Sequence, residues 1–435
     1  MKGSYSGHNE KVSGRVAFTY PNFRYYMVAR FLVVASTEMQ AVAVAWQVYS
    51  LTHRALDLGL VGLAQFVPGL FLFLLAGHAA DRFPRQRILL TCFGGFAACS
   101  LAFAALTLRG VTAVWPIYLV LLANGCVRVF NGPAGQALLP LLVPEEHFSN
   151  AVAWSATVFT GSTILGPMIG GLLYGFTGTP LPVYIGAAAA YVCGLGLVAL
   201  IRTAAPQKPR GVQSLGTVLE GLRYIARNRL LLGVISLDLF AVLLGGAVAL
   251  LPAYANDILK IGAKGLGLLR AAPGAGAMLT AMLLAHRPIT RRAGALMLWF
   301  VAGFGVFTVV FGLSRNVALS VAALALVGAC DMVSVVVRQT MIQLGTPDQM
   351  RGRVSAVNMI FVGASNELGQ FESGVTAQWF GTAPAVVLGG LGTLAVVIAW
   401  NCIFPALRGV DELTGDALAE KLARPAADSR QARVP

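Results

Sequence analysis

Leu230-Leu-Leu-Gly-Val-Ile-Ser-Leu-Asp-Leu-Phe-Ala-Val-Leu-Leu-Gly-Gly-Ala-Val-Ala-Leu-Leu-Pro-Ala-Tyr254 runs for 25 residues with one charge, Asp238. An α-helix crosses the hydrocarbon core of a bilayer in roughly 20 apolar residues. A stretch this long and apolar has no place on the surface of a soluble domain, so it predicts a membrane span. A carboxylate kept inside such a span is expensive and needs a partner or a cavity.

Runs of the same kind lie near 23–50, 57–79, 88–108, 113–141, 152–176, 182–201, 230–254, 265–285, 293–313, 317–343, 354–379 and 384–405, which predicts twelve transmembrane helices. They are continuous, not ten-residue alternations, and this excludes a β-barrel. Composition agrees, with 57% of the 435 residues hydrophobic, 11% charged and a mean hydropathy of +0.73. A water-soluble globule cannot hide that much apolar surface, and a disordered chain would be far more polar. The first 22 residues are polar and carry no signal-peptide core. The six cysteines sit in apolar runs without CxxC, and read as small buried hydrophobes. The five scattered histidines have no ligand spacing, so neither metal nor cofactor is expected. No GxxxxGK[ST] loop, GxSxG elbow or convergent nucleophile–base set is present, which argues against an ATPase, a hydrolase or another embedded enzyme.

Charge placement orients the spans. With a cytoplasmic N-terminus, 23 of the 32 basic residues fall in cytoplasmic segments. Five (Arg54, Arg109, Lys260, Lys264 and Arg315) fall outside, and four lie within spans. This positive-inside bias predicts an inner-membrane protein with both termini cytoplasmic. The net charge of +14 is then a matter of topology and implies no nucleic-acid partner.

The break at 203–228 carries Pro206 and Pro209 and divides the chain in two. The expected parts are a tail (1–22), a six-helix half (23–202), the linker (203–228), a second half (229–405) and a tail (406–435). Gly216–Arg227 has amphipathic helical spacing, which predicts a helix at the membrane surface. The halves also echo each other at an offset of 203. Val143–Ala153 aligns with Thr346–Ala356, Gly166 with Gly369, and Gly171 with Gly374. Two pseudo-symmetric six-helix halves are the plan of secondary transporters whose site lies between the halves near the midplane.

Gly77-His-Ala-Ala-Asp81-Arg82-Phe-Pro-Arg85-Gln-Arg87 resembles the loop motif GxxxDRxGRR of the major facilitator superfamily. Gly161-Ser-Thr-Ile-Leu-Gly166-Pro167-Met-Ile-Gly170-Gly171 resembles its antiporter motif GxxxxGPxxGG, and Arg128 sits where its helix-four arginine is expected. Gln136–Pro144 and Met350–Glu367 are similar to one bacterial efflux branch, the transmembrane secretion effectors, which includes the enterobactin exporter. The resemblance covers about residues 20–405. It departs from the loop motif at Pro84, usually Gly, and at Gln86, usually basic. The resemblance implies that Gly77, Asp81, Arg82 and Arg85 form a gating latch. It also implies that Gly161, Gly166, Pro167, Gly170 and Gly171 make a bent, sealed helix between the halves, and that Arg128 couples proton to substrate.

Ionisable residues within spans are the remaining candidates. They are Arg30, Glu38, Arg128, Asp238, Arg270, Asp331, Arg338, Glu367 and Glu372. A coupling carboxylate must change protonation with access to each side. Glu38 comes first, against a static pair with Arg30 or Arg128. Asp238 and Asp331 follow, against pairing with Arg270 or Arg338. Asn124, Arg128, Asn131 and Gly135 recur along one helical stripe, which reads as a cavity wall. With Arg338, Asn366, Glu367, Gln370 and Glu372, Asn124 and Asn131 are the substrate-cavity candidates. The expected function is a monomeric, proton-coupled exporter of a siderophore, secreted metabolite or drug. A facilitator or importer, a lysophospholipid transporter, and a membrane receptor or embedded enzyme are the alternatives. Substrate, protons and membrane lipid are its expected partners.

Overall fold

The structure, a computed structural model, describes residues 16–202, 215–287, 289 and 291–411, without the side chains of Leu74, Ala80, Asp81, Leu215, Thr217 and Asp348. The first long helices are α1 (Pro21–Thr52), α2 (Ala55–Arg82), α3 (Arg85–Leu108), α4 (Trp115–Leu138), α5 (Phe148–Thr177) and α6 (Leu181–Ala199). A short α7 (Leu215–Arg227) leads to α8 (Arg229–Leu244), α9 (Gly262–His286), α10 (Ala293–Leu313), α11 (Val317–Leu344), α12 (Asp348–Phe380) and α13 (Thr382–Ile403). Among the described residues, eleven helical segments are long and apolar enough to cross a membrane. The twelfth long helix, the 33-residue α12, is more polar, and it packs among the others. Side chains such as Phe176, Trp299 and Ile398 stand exposed on the bundle, as lipid-solvated helices allow.

Local chemistry sets the helix ends. Pro21 opens α1, where a missing N–H costs nothing. The side chain of Asn228 accepts from the amides of Leu230 and Leu231 at the start of α8, and Asn316 accepts from Leu319 at the start of α11. Gly178, at φ +69°, closes α5. The predicted 230–254 span differs from expectation, because α8 stops at Leu244. The chain continues through a 3-10 turn (Ala247–Leu250), a short turn (Leu251–Ala253) and a π-helical turn (Tyr254–Ile258). At the break the backbone runs close to α12: a Cβ at Gly246 would lie 2.7 Å from the Gly369 carbonyl oxygen. Apolar pattern alone cannot register such a contact.

Helix contacts sort into two sets, α1–α6 and α8–α13, joined mainly through α5 with α9 and α2 with α12. The offset of 203 is visible in these joints. A Cβ at Gly166 would meet the Ala35 carbonyl of α1 at 2.5 Å, and one at Gly369 would meet the Leu243 carbonyl of α8 at 2.8 Å. Likewise Gly171 approaches Gly267 of α9 at 2.7 Å, and Gly374 approaches Gly59 of α2 at 2.8 Å. Each repeated glycine pair therefore holds the first helix of its own half and the second helix of the other. Small residues allow such backbone approach without a hydrophobic drive between helices.

These joints lie toward the end of the bundle opposite the chain's basic loops. There the hydroxyl of Tyr49 also donates to the carboxylate of Asp257, linking the halves. Toward the basic end the same helices bare Leu70, Phe71 and Leu75 on α2, and Leu279, Met282 and Leu283 on α9. Through the glycine joints and the Tyr49–Asp257 link the halves close on each other at the far end. α7 docks at the basic end, with Ile225 buried among Leu231, Ile235, Ile342, Val354 and Val357. Its Glu220 pairs with Arg353 at 2.5 Å. Of the cysteines, Cys92, Cys99 and Cys330 are buried, whereas Cys193 and Cys402 are exposed, contrary to the reading of all six as buried.

Candidate functional site between the halves

The polar stripe of α4 is divided among three environments. Asn124, 4% exposed, lines a small cavity of about 50 Å3 with Thr37, Gln40, Gln65, Arg270 and Gln370, drawing on both halves. One turn on, Arg128 crosses to the other half and pairs with Glu367 of α12 at 3.0 Å. Its side chain is 53% exposed while that of Glu367 is 13% exposed. Gln370 donates to the second oxygen of Glu367 at 3.4 Å. Asn131 and Gly135 turn away into a cavity of about 210 Å3 inside the first half.

In the second half, Asp238 and Arg338 form an ion pair, with the residues 6% and 3% exposed. Both line a cavity of about 250 Å3 with Asp331, Asn366 and Gln370. Arg338 is thus a buried counter-charge rather than a group held out to the central space. Asp331 forms no ion pair among the described residues. Glu372 accepts from Thr376 at 2.7 Å, and the Asn366 amide donates to the Val362 carbonyl on its own helix.

Glu38 is half-buried on α1 and forms no ion pair with Arg30, Arg128 or any other described residue. Its Cβ lies 2.7 Å from where a Cβ on Gly166 would stand, so it sits at the α1–α5 seam beside Pro167. Gly170 meets Met39 of the same seam, with its would-be Cβ 2.6 Å from the Met39 carbonyl oxygen. Gly161 faces open space. Of the four glycines of one motif, two therefore meet α1, one meets α9 and one meets nothing.

The 77–87 segment joins α2 to α3 at the basic end. The side chain of Asp81 lies outside the described residues. Gly77 is half-buried, Arg82 is exposed, and the buried Nε of Arg85 has no hydrogen-bond partner among the described residues. Gln86 donates to the carbonyls of Val198 and Ile201 at 2.8 and 2.7 Å, closing the end of α6. A neutral amide in place of the usual base thus serves a cap.

The sequence reading missed Gln40, Gln65 and Arg270 as cavity groups, and the Tyr49–Asp257 link altogether. Gln40 carried a signal, being a polar residue mid-span two places after Glu38. Asp257 did not, since it sits beyond an apolar run and reads as loop.

Known proteins agree with this architecture. A solved bacterial homologue of the human lysosomal transporter Spinster, inward-facing and unoccupied, superposes with a TM-score of 0.69 at 12% identity, covering 93% of this chain and 99% of that one. The nucleoside transporter NupG gives 0.70 at 15% identity, over 88% of this chain and 99% of its own. At such identities the likeness establishes the fold. In sequence, the enterobactin exporter EntS of Shigella boydii serotype 18 is 30% identical over 388 residues, 88% of each chain. The same exporter from Escherichia coli O139:H28 matches to the same extent. Relatives and fold alike are those of membrane transporters of small molecules, not of enzymes. The family model of transmembrane secretion effectors matches residues 13–434, and the chain belongs to that family of major facilitator transporters.

Proposed function

We propose that the chain is a secondary active exporter of the bacterial inner membrane, exchanging protons for a small amphipathic molecule by alternating access. The candidate substrate class follows the relatives named as enterobactin exporters: a siderophore, a secreted metabolite or a drug. If the basic end faces the cytoplasm, as the positive-inside bias favours, both termini are cytoplasmic and the site between the halves is loaded from that side. The division into halves at 23–202 and 229–405, with a linker at 203–228, fits the rocking motion this requires.

Glu38 carries the reading. It is a half-buried carboxylate that forms no ion pair among the described residues, set against the helix that joins the halves through Gly171. Placing an ionised carboxylate there costs more in one packing of α1 on α5 than in another. Protonation then biases the equilibrium between states, as differential binding must. Arg128–Glu367 is the second element, because an ion pair between the halves competes with any charged substrate group that enters.

The test uses everted vesicles with an imposed proton gradient and a pH-reporting dye. Adding a catecholate siderophore, a lipophilic cation or a lysophospholipid is expected to collapse the gradient for one class in wild type and not in Glu38→Gln. Substrate flux that continues with no effect on the gradient would make the protein a facilitator.

A further inference from the structure

The cavity of about 210 Å3 in the first half is walled by α1, α3, α4 and α5. Arg30 is its charged group. Its Nε is buried without a hydrogen-bond partner, and it forms no ion pair among the described residues. The guanidinium carbon lies 5.7 Å from the centre of the Phe159 ring. The hydroxyl of Tyr26 donates to the Gly135 carbonyl at 2.9 Å and its oxygen is placed to accept from Arg30, a neutral contact that leaves the charge of Arg30 without a counter-ion among the described residues. Phe159, Gly132 and Gln136 are exposed at the mouth, so the cavity opens to its surroundings.

Pseudo-symmetry sets this cation against its counterpart in the second half. Ala35 and Leu243 are equivalent through their contacts with Gly166 and Gly369, which makes Arg30 the counterpart of Asp238. At the offset of 203, Gly135 is the counterpart of Arg338. In the second half those positions hold an acid and a base, which neutralise each other. In the first half they hold a base and a glycine. The first half thus carries a charge of opposite sign at this position and a glycine where its partner would stand, leaving space beside it. A cation in a membrane-embedded cavity is stable only with an anion or water to solvate it.

We propose that this cavity is a binding subsite for an aromatic anion, a ring bearing a carboxylate or an ionised hydroxyl. Arg30 meets the charge with its planar fork, Phe159 and Phe93 offer ring faces, and Asn131 and Gln136 supply amide groups at the wall. The subsite deepens the exporter reading by naming the chemistry of one end of the substrate, and it rests on that reading only for its biological use.

Equilibrium binding tests it without any gradient or flux, so its failure is separable from failure of proton coupling. The probe is 2-naphthoate, followed by fluorescence with purified protein in nanodiscs, against its neutral analogue 2-naphthylmethanol. Wild type is expected to prefer the anion by about tenfold or more. Arg30→Gln abolishes the preference while leaving the neutral probe's binding unchanged, and Arg30→Lys keeps part of it. Equal naphthoate affinity in wild type and Arg30→Gln overturns the proposal. Should Arg30→Gln fail to fold, Phe159→Leu decides. Its preference for naphthoate over cyclohexanecarboxylate is expected to drop several-fold, and an unchanged preference overturns the proposal as well.

Discussion

Asp238 and Arg338 show what a single charge means inside this bundle. Each is more than nine-tenths buried and each has the other as its counter-ion. Removing one member strands a charge in a low-dielectric interior, at about 3–5 kcal/mol, whereas replacing both with apolar residues of similar size costs far less. Arg338→Met is therefore expected to lower the thermal midpoint of the purified protein sharply. The double variant Asp238→Leu/Arg338→Met is expected to recover most of the loss. Comparable destabilisation in single and double variants would show that the pair is not a unit. The sequence identified both residues as costly and named Arg338 as one of two pairing options. It could not choose, because pairing is decided by which faces of α8 and α11 meet. For Glu38 the reverse holds: two arginines were candidate partners and neither pairs with it. Arg128 is drawn to Glu367 in the other half, a contact 239 residues away in the chain.

Among elements, the glycine motifs divide the work of α5 and α12. Gly171 and Gly374 are the points where each half touches the second helix of the other, at 2.7 and 2.8 Å from a would-be Cβ. Gly171→Val and Gly374→Val are each expected to force the seam apart. Overpacking costs about 1–3 kcal/mol, enough to shift the equilibrium toward the far-end-open state on the order of tenfold. Faster maleimide labelling of a cysteine placed at the far end reads this out. Gly161→Ala, facing open space, should label as wild type does. An effect of Gly161→Ala equal to that of Gly171→Val would mean the motif acts through helix flexibility instead of contact. The repeat at 203 was legible in the sequence because these contacts demand glycine at equivalent places. The break after Leu244 was not, since Gly245-Gly246 inside an apolar run resembles ordinary small-residue packing. The polar α12 was legible as a span from its length and its neighbours, although its carboxylates lower its hydropathy.

At the scale of the molecule, two sets of helices close on each other at the end opposite the basic loops. Tyr49 and Asp257 join the halves at that end. With the native cysteines replaced, a short bifunctional thiol linker between Tyr49→Cys and Asp257→Cys is expected to lock that end and stop transport. A cleavable linker restores transport on reduction. Full transport by the linked protein would mean that the far end never needs to open. The general plan of twelve spans in two halves was open to sequence reading, because bilayer thickness and backbone hydrogen bonding leave few alternatives. The state of the halves was not, since both states satisfy the same apolar pattern.

The central claim is that Glu38 ties proton movement to substrate movement. Proteoliposomes loaded with substrate and given a proton gradient test it most directly, comparing net accumulation with one-for-one substrate exchange. The account predicts that Glu38→Gln keeps exchange near the wild-type rate and loses gradient-driven accumulation. Accumulation by Glu38→Gln equal to wild type would contradict it and move the coupling elsewhere, with Asp331 the next carboxylate lacking an ion partner.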